Sequence, residues 1–309
     1  MWPKGQSGWT GLRRLPRRSD IEEVWQGMQG TPSLRASTAL LQAECMPPLG
    51  RHGVRRHAFP CVSVLCVGRK SVLSIKRWIA VFALTVLGAL LFASWLIPAQ
   101  SGFWYAIDAS VFFYFNHLLA ESTAFRYLVA FTNLRPFDAV AFLFMLGIFY
   151  HYYRRQDRAG KRWMVCIGLT MLVTAVIAKQ FDMAMDFSRP SPTKYFSLQG
   201  IPVLRVSELT GWPAKDWSST SFPGDHGMML MIFSFFMLRY FGRKAFFWSA
   251  LVVIVFSLPR IMAGAHWLTD VVVGADSISC VVLSWMLLTP ASDRVIAWFN
   301  RHLPKKFLG

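Results

Sequence analysis

Trp78 to Pro98 reads WIAVFALTVLGALLFASWLIP, twenty-one residues without a charged side chain. A helix of about 20 apolar residues spans a hydrocarbon core of roughly 30 Å, since its backbone polar groups are all satisfied within the segment. Working outward, five further runs share this character: Phe137 to Tyr153, Trp163 to Phe181, His226 to Phe241, Ala245 to Met262 and Thr269 to Leu288. The pattern predicts an all-α integral membrane protein with six transmembrane helices and both termini on one side.

Lys and Arg in short loops mark the cytoplasmic side. Arg69, Lys70, Lys76 and Arg77 lead into the first span, Arg154 to Arg162 follow the second, Arg239, Arg243 and Lys244 lie between the fourth and fifth, and Arg294 to Lys306 close the chain. All fall on one face of the six-span arrangement, which assigns both termini to the cytoplasm. The net charge of +17 divides into +9 before Trp78 and +8 from there on. Topology and anionic headgroups account for this charge more simply than nucleic acid does. The five scattered cysteines have neither a disulfide framework nor zinc-site spacing.

Residues 1–72 are rich in Arg, Gly, Pro and Ser and lack a sustained apolar period, so a disordered cytoplasmic extension is expected, followed by a membrane domain over residues 73–309. Between the first two spans, Gly102 to Ala120 carries Ile107, Val111, Phe115 and Leu118 at helical spacing, which predicts an amphipathic helix on the outer surface. The connection from Asp182 to Pro223 holds five prolines and two glycines between polar residues, and reads as an extracytoplasmic loop long enough to be functional.

Once topology is fixed, Arg189, His226, Arg260, His266 and Asp270 map to the outer ends of the spans. Guanidinium groups suit a phosphate, because each presents planar, permanently charged donors to two oxygens at once. Arg260, taken alone, is equally an arginine snorkelling to the headgroups. His266 and Asp270 are four apart and share a helical face, where a carboxylate fixes the ring tautomer, making His266 a candidate nucleophile; a helix cap is the plainer reading of that pair. His226 follows Pro223-Gly224-Asp225 at a helix start and is a candidate proton donor, with Asp225 expected to be the N-cap. The Met228–Met231 run and the Phe233–Met237 cluster read as apolar packing surface, and Trp212, Trp217 and Trp267 as an interfacial belt, with Trp267 alternatively shaping a pocket.

These residues resemble the type 2 phosphatidic acid phosphatase superfamily, whose pattern is Lys, six residues, Arg-Pro; then Pro-Ser-Gly-His; then Ser-Arg, five residues, His, three residues, Asp. The third motif is present at full spacing as Arg260, His266 and Asp270, with Pro259 where the family has serine. The second appears as Pro223-Gly224-Asp225-His226, and the first keeps Arg189-Pro190 but has Asp182 in the lysine position, with Lys179 one turn earlier as the substitute. The stretches SWLIPAQSGFWYAID, VSELTGWPAKD, SFPGDHGMMLMIFSFFMLRYFG and LLTPASDR are similar to those of the Gram-negative lipid A phosphotransferases, from about Trp78 to the C-terminus.

The resemblance implies a six-helix phosphatase-type bundle in the bacterial inner membrane with a periplasmic site. It implies transfer of a phosphate from undecaprenyl diphosphate to lipid A 1-phosphate, with His266 forming a phosphohistidine, Asp270 orienting it and His226 protonating the leaving group. Arg189, Arg260 and Lys179 are then expected to bind phosphate, and no metal or other cofactor is implied. The nearest rival is a phosphatase acting on undecaprenyl diphosphate or another lipid phosphate, which differs only in its acceptor. A channel or transporter would carry its ionisable groups near the membrane midplane, whereas here they gather at one face.

Overall fold

A computed structural model describes residues 74–96, 102–185 and 189–304, apart from the side chains of residues 182, 184 and 185. The expected cytoplasmic extension lies outside the described residues. Within them the chain is helical, with no strand: α1 Ile75–Leu96, α2 Phe103–Glu121, α3 Thr123–Thr132, α4 Arg135–Tyr153, α5 Arg158–Met185, α6 Pro192–Leu198, α7 Val206–Thr210, α8 Asp225–Phe241, α9 Arg243–Met262, α10 Asp270–Leu288 and α11 Ala291–His302.

All six segments expected to cross the membrane are helical over their described residues. Four of them, α1, α5, α9 and α10, are long and apolar enough to cross by themselves. α3 and α4 satisfy the same condition only as a pair, bent by 68°. α8 has 17 residues, about 26 Å of helix. Ile79, Leu90, Phe142, Leu172, Val176 and Ile254 are exposed on α1, α4, α5 and α9, the side chains a lipid-facing surface requires.

α8 occupies the middle. Its Met228, Met231, Ile232 and Phe236 pack with Cys166 and Ile167 of α5 and with Ile278, Val282 and Met286 of α10. The methionine and phenylalanine runs are therefore mostly helix–helix packing, with Met229 and Phe235 exposed. α9 pairs with α8, α1 with α10, and α11 with α5. α10 begins and ends with π-helical winding, at Asp270–Ala275 and Ser284–Leu288.

The amphipathic reading of α2 needs correction. The helix exists, but Asp108, Phe112 and Leu119 are its buried residues, while Ile107, Val111, Phe115 and Leu118 are only half-buried. From residue 189 onward the long loop is structured. It carries α6 and α7, and its two ends are joined where Ser191 N–H donates to Ser218 (3.1 Å) and Ser221 N–H donates to the Arg189 carbonyl (2.7 Å).

Candidate active site

The end of α9 and the start of α10 are joined by a tight turn that fixes two candidate residues together. Gly264, at φ 71°, follows the last turn of α9; its N–H donates to Ile261 (3.0 Å), and the next N–H, of Ala265, donates to Arg260 (3.0 Å). This is a Schellman closure, which glycine makes at no steric cost. The Arg260 carbonyl also accepts from the His266 N–H (3.2 Å), so the backbone of the nucleophile candidate hangs on the backbone of the arginine.

His266 Nδ1 lies 2.8 Å from the Ser221 carbonyl and 3.3 Å from Asp270 Oδ2. A carbonyl oxygen can only accept, so Nδ1 carries a proton, and in the neutral ring Nε2 then holds the lone pair that a nitrogen nucleophile requires. Ser221 is thus the shorter contact, and Asp270 is the second. Asp270 is fully buried; it accepts from the Trp267 N–H (2.9 Å) and pairs with Arg189 Nη1 (3.4 Å).

Arg189 is held on every side. Nη1 also donates to Thr269 Oγ1 (2.8 Å), Nη2 donates to Asp108 Oδ2 (2.8 Å), and the guanidinium stacks 4.2 Å from the Trp267 ring and 5.4 Å from that of Trp95. Among the described residues, the Nε hydrogen and one on Nη2 have no partner. Trp267 is 1% exposed and donates through Nε1 to Pro190 (2.8 Å), so it shapes the pocket and is not an interfacial residue. Asp108 is the partner that no motif signals. Besides Arg189 it accepts from Thr269 N–H (2.9 Å) and Oγ1 (2.6 Å). Burial pushes its carboxyl pKa up, against the opposing pull of Arg189 and Thr269.

The other half of the site is built at the start of α8. His226 Nε2 is 3.4 Å from Asp138 Oδ2, and the same carboxylate receives Arg260 Nη2 at 2.5 Å. Arg260 is 4% exposed and its Nη1 has no partner among the described residues. The structure places the N-cap of α8 at Gly224 and gives Asp225 no capping bond. Asp225 is instead gripped by Lys179, at 3.0 and 2.8 Å through its two oxygens. An ammonium one α5 face away competes with the backbone for that carboxylate and wins, so the N-cap expectation is not met. The α8 and α10 starts lie side by side, with Gly224 N–H donating to the Asp270 carbonyl (2.9 Å).

A cleft of about 560 Å³ opens between α4, α5 and α8. Asp138, Asp225, His226 and Arg260 line its polar part, and side chains such as Phe142, Met145 and Met171 line the apolar remainder. Charged groups that meet an apolar trough between helices suit a molecule with an ionic head and a hydrocarbon tail. Asp138, Ser221 and Thr269, like Asp108, were not singled out as site residues from sequence. The available signals were weak: an acidic residue in the first turn of α4, and one carboxylate inside the apolar stretch IDASVFFYF.

Two histidines and two arginines, each histidine on a carboxylate shared with an arginine, are the groups of a phosphoryl-transfer site in a helical, apolar bundle. Residues 165–294 match the PAP2 superfamily. The chain is 46% identical over 233 residues to lipid A 1-diphosphate synthase of Escherichia coli (strain K12), covering 75% of this chain and 97% of that protein. The chain belongs to the PAP2 superfamily. No solved structure matches it.

Proposed function

We propose that this protein transfers the terminal phosphate of undecaprenyl diphosphate to lipid A 1-phosphate, at the periplasmic face of a Gram-negative inner membrane, within a six-span bundle whose termini are cytoplasmic. The observation that carries the reading is a pair of joined sets: His266 and Arg189 share Asp270, while His226 and Arg260 share Asp138 and line an apolar cleft. The similarity to a lipid A 1-diphosphate synthase supports the choice of acceptor.

In the first half-reaction His266 Nε2 attacks the terminal phosphorus. An N–P bond forms, the bridging P–O bond breaks, and His226 gives its proton to the departing undecaprenyl phosphate. In the second, an oxygen of lipid A 1-phosphate attacks the phosphohistidine, the N–P bond breaks, and His226 takes back a proton. Arg260 and the remaining Arg189 hydrogens hold the phosphoryl oxygens, whose charge spreads in the transition state. Asp270 and the Ser221 carbonyl keep the imidazole in register. Lys179, expected to bind phosphate, is instead engaged by both oxygens of Asp225.

Purified protein is incubated with terminally labelled undecaprenyl diphosphate, with and without lipid A 1-phosphate, alongside His266→Ala. Label on lipid A that depends on His266 is the expected result. Release only as inorganic phosphate would replace transfer by hydrolysis.

A further inference from the structure

A transfer from a diphosphate onto a phosphate requires room for a second phosphate throughout: first the departing prenyl phosphate, then the attacking phosphate of lipid A. A hydrolase has only water to seat in the second step. If His226 serves the bridging oxygen, as the reading above has it, the second phosphate lies on the His226 side, away from His266.

The distribution of charge favours an anion there. On the His266 side, Arg189 is matched by two carboxylates, Asp108 and Asp270. On the His226 side the balance reverses. Both oxygens of Asp225 are taken by Lys179, and Asp138 serves Arg260 Nη2 and His226. Arg260 Nη1 has no partner, and the ammonium of Lys215 makes no hydrogen bond or ion pair among the described residues.

The backbone of Lys215 is held in place, and its side chain is partly withdrawn from solvent. It stands between buried Ala214 and Asp216, and Asp216 is itself tied to Arg205 (3.2 Å) and to the Ser207 N–H (2.8 Å). Its own N–H donates to the Asn133 carbonyl (2.9 Å), and the Asn133 side chain donates to the Pro259 carbonyl (2.8 Å), one residue before Arg260. One asparagine therefore fastens both the loop of Lys215 and the helix end of Arg260. The groups that act electrostatically on Lys215 are Arg260, Asp138, Asp225 and Arg135, and Lys215 acts in turn on His226. Burial, then the neighbouring Arg260 charge, holds its pKa below the ordinary lysine value.

We propose that Lys215, with Arg260 shared between the two positions, binds the phosphate that is not transferred, and so selects a phosphate as donor leaving group and as acceptor. The subsite rests on the phosphotransfer reading, but it can fail separately.

The test compares full-length wild type, Lys215→Gln and Lys215→Arg on two donors, a prenyl diphosphate and a prenyl monophosphate, with and without lipid A 1-phosphate. In Lys215→Gln the ratio of diphosphate-donor to monophosphate-donor kcat/KM is expected to fall at least tenfold, and the KM for lipid A 1-phosphate to rise by a similar factor. Lys215→Arg is expected to recover most of both. An equal loss on the two donors, or no loss on either, would overturn the subsite while leaving the wild-type transfer intact. Wild type that releases label only to water would overturn the phosphotransfer reading and the subsite with it.

Discussion

Asp108 holds Thr269 through both of its carboxylate oxygens, one to the backbone N–H at 2.9 Å and one to the hydroxyl at 2.6 Å. A helix outside every catalytic motif thereby sets the start of α10, which carries Asp270. The same carboxylate pairs with Arg189 at 2.8 Å. Asp108→Ala leaves that arginine, 14% exposed, without its closest counter-charge, and removing one partner of a buried pair costs about 3–5 kcal/mol. A clear drop in thermal midpoint in detergent is expected, with a milder drop for Asp108→Asn, which keeps the shape. A midpoint equal to wild type in both would show that α10 is placed without it.

The two histidines are expected to separate by leaving group. Removing a positioned acid typically costs about 10²–10⁴-fold, and the loss shrinks when the leaving oxygen needs no proton. His226→Gln should therefore be slow on a prenyl diphosphate and substantially recovered on an activated aryl phosphate. His266→Ala should recover on neither and should not retain label after acid-free quenching. Equal recovery of both variants would contradict the assignment of roles.

Gly264 sits in the left-handed region at φ 71°, and an added Cβ would stand 2.2 Å from Thr193 Oγ1 and 2.7 Å from the Phe112 ring. The conformation alone costs an L-residue roughly 1–2 kcal/mol. Gly264→Ala is expected to lower both the thermal midpoint and turnover, because the turn places His266 relative to Arg260. Turnover per folded molecule, measured at a temperature where the variant stays folded, should still fall. If it does not, the turn serves stability alone.

Alkaline pH provides a further test through Lys215. Its pKa is lowered by burial and by Arg260, against the opposing pull of Asp138 and Asp225, with Arg135 adding to the lowering and His226 nearby. The unfolded lysine keeps its proton to about 10.4, so between the lowered value and that one the unfolded chain binds more protons and stability rises with pH. Anion binding runs the opposite way, being lost as the ammonium deprotonates. KM for the diphosphate donor should climb at a pH below the ordinary lysine range, and Lys215→Arg should move that limb upward. A KM that stays level until the ordinary range would count against it.

The six helical segments were legible because hydropathy and length act locally: the run that opens at Trp78 became α1 and Thr269 to Leu288 became α10. The paired motif residues were legible because spacing of four on a helix is itself geometry. The face of α2 was misread for a physical reason. Periodic apolar residues mark the inside only where the outside is water; beside a bilayer, Phe113 and Tyr114 are exposed while Asp108 turns inward. Ser221 was invisible because its carbonyl acts through the backbone, which any residue supplies. Asp138 reaches Arg260 across 122 positions of chain, and Lys215 is tied through Asn133 to Pro259, relations that no local pattern encodes.

The Arg260 carbonyl that receives the His266 N–H has a mechanical meaning. Bilayers of different thickness tilt and stretch the helices that cross them. A gap between the proposed phosphate holder and the proposed nucleophile, spread over two separately moving helices, would widen and narrow with each such adjustment. Here the two residues ride on one hydrogen-bonded turn, so a lean of α9 carries both together, and the reaction distance is insulated from the lipid in which the protein sits.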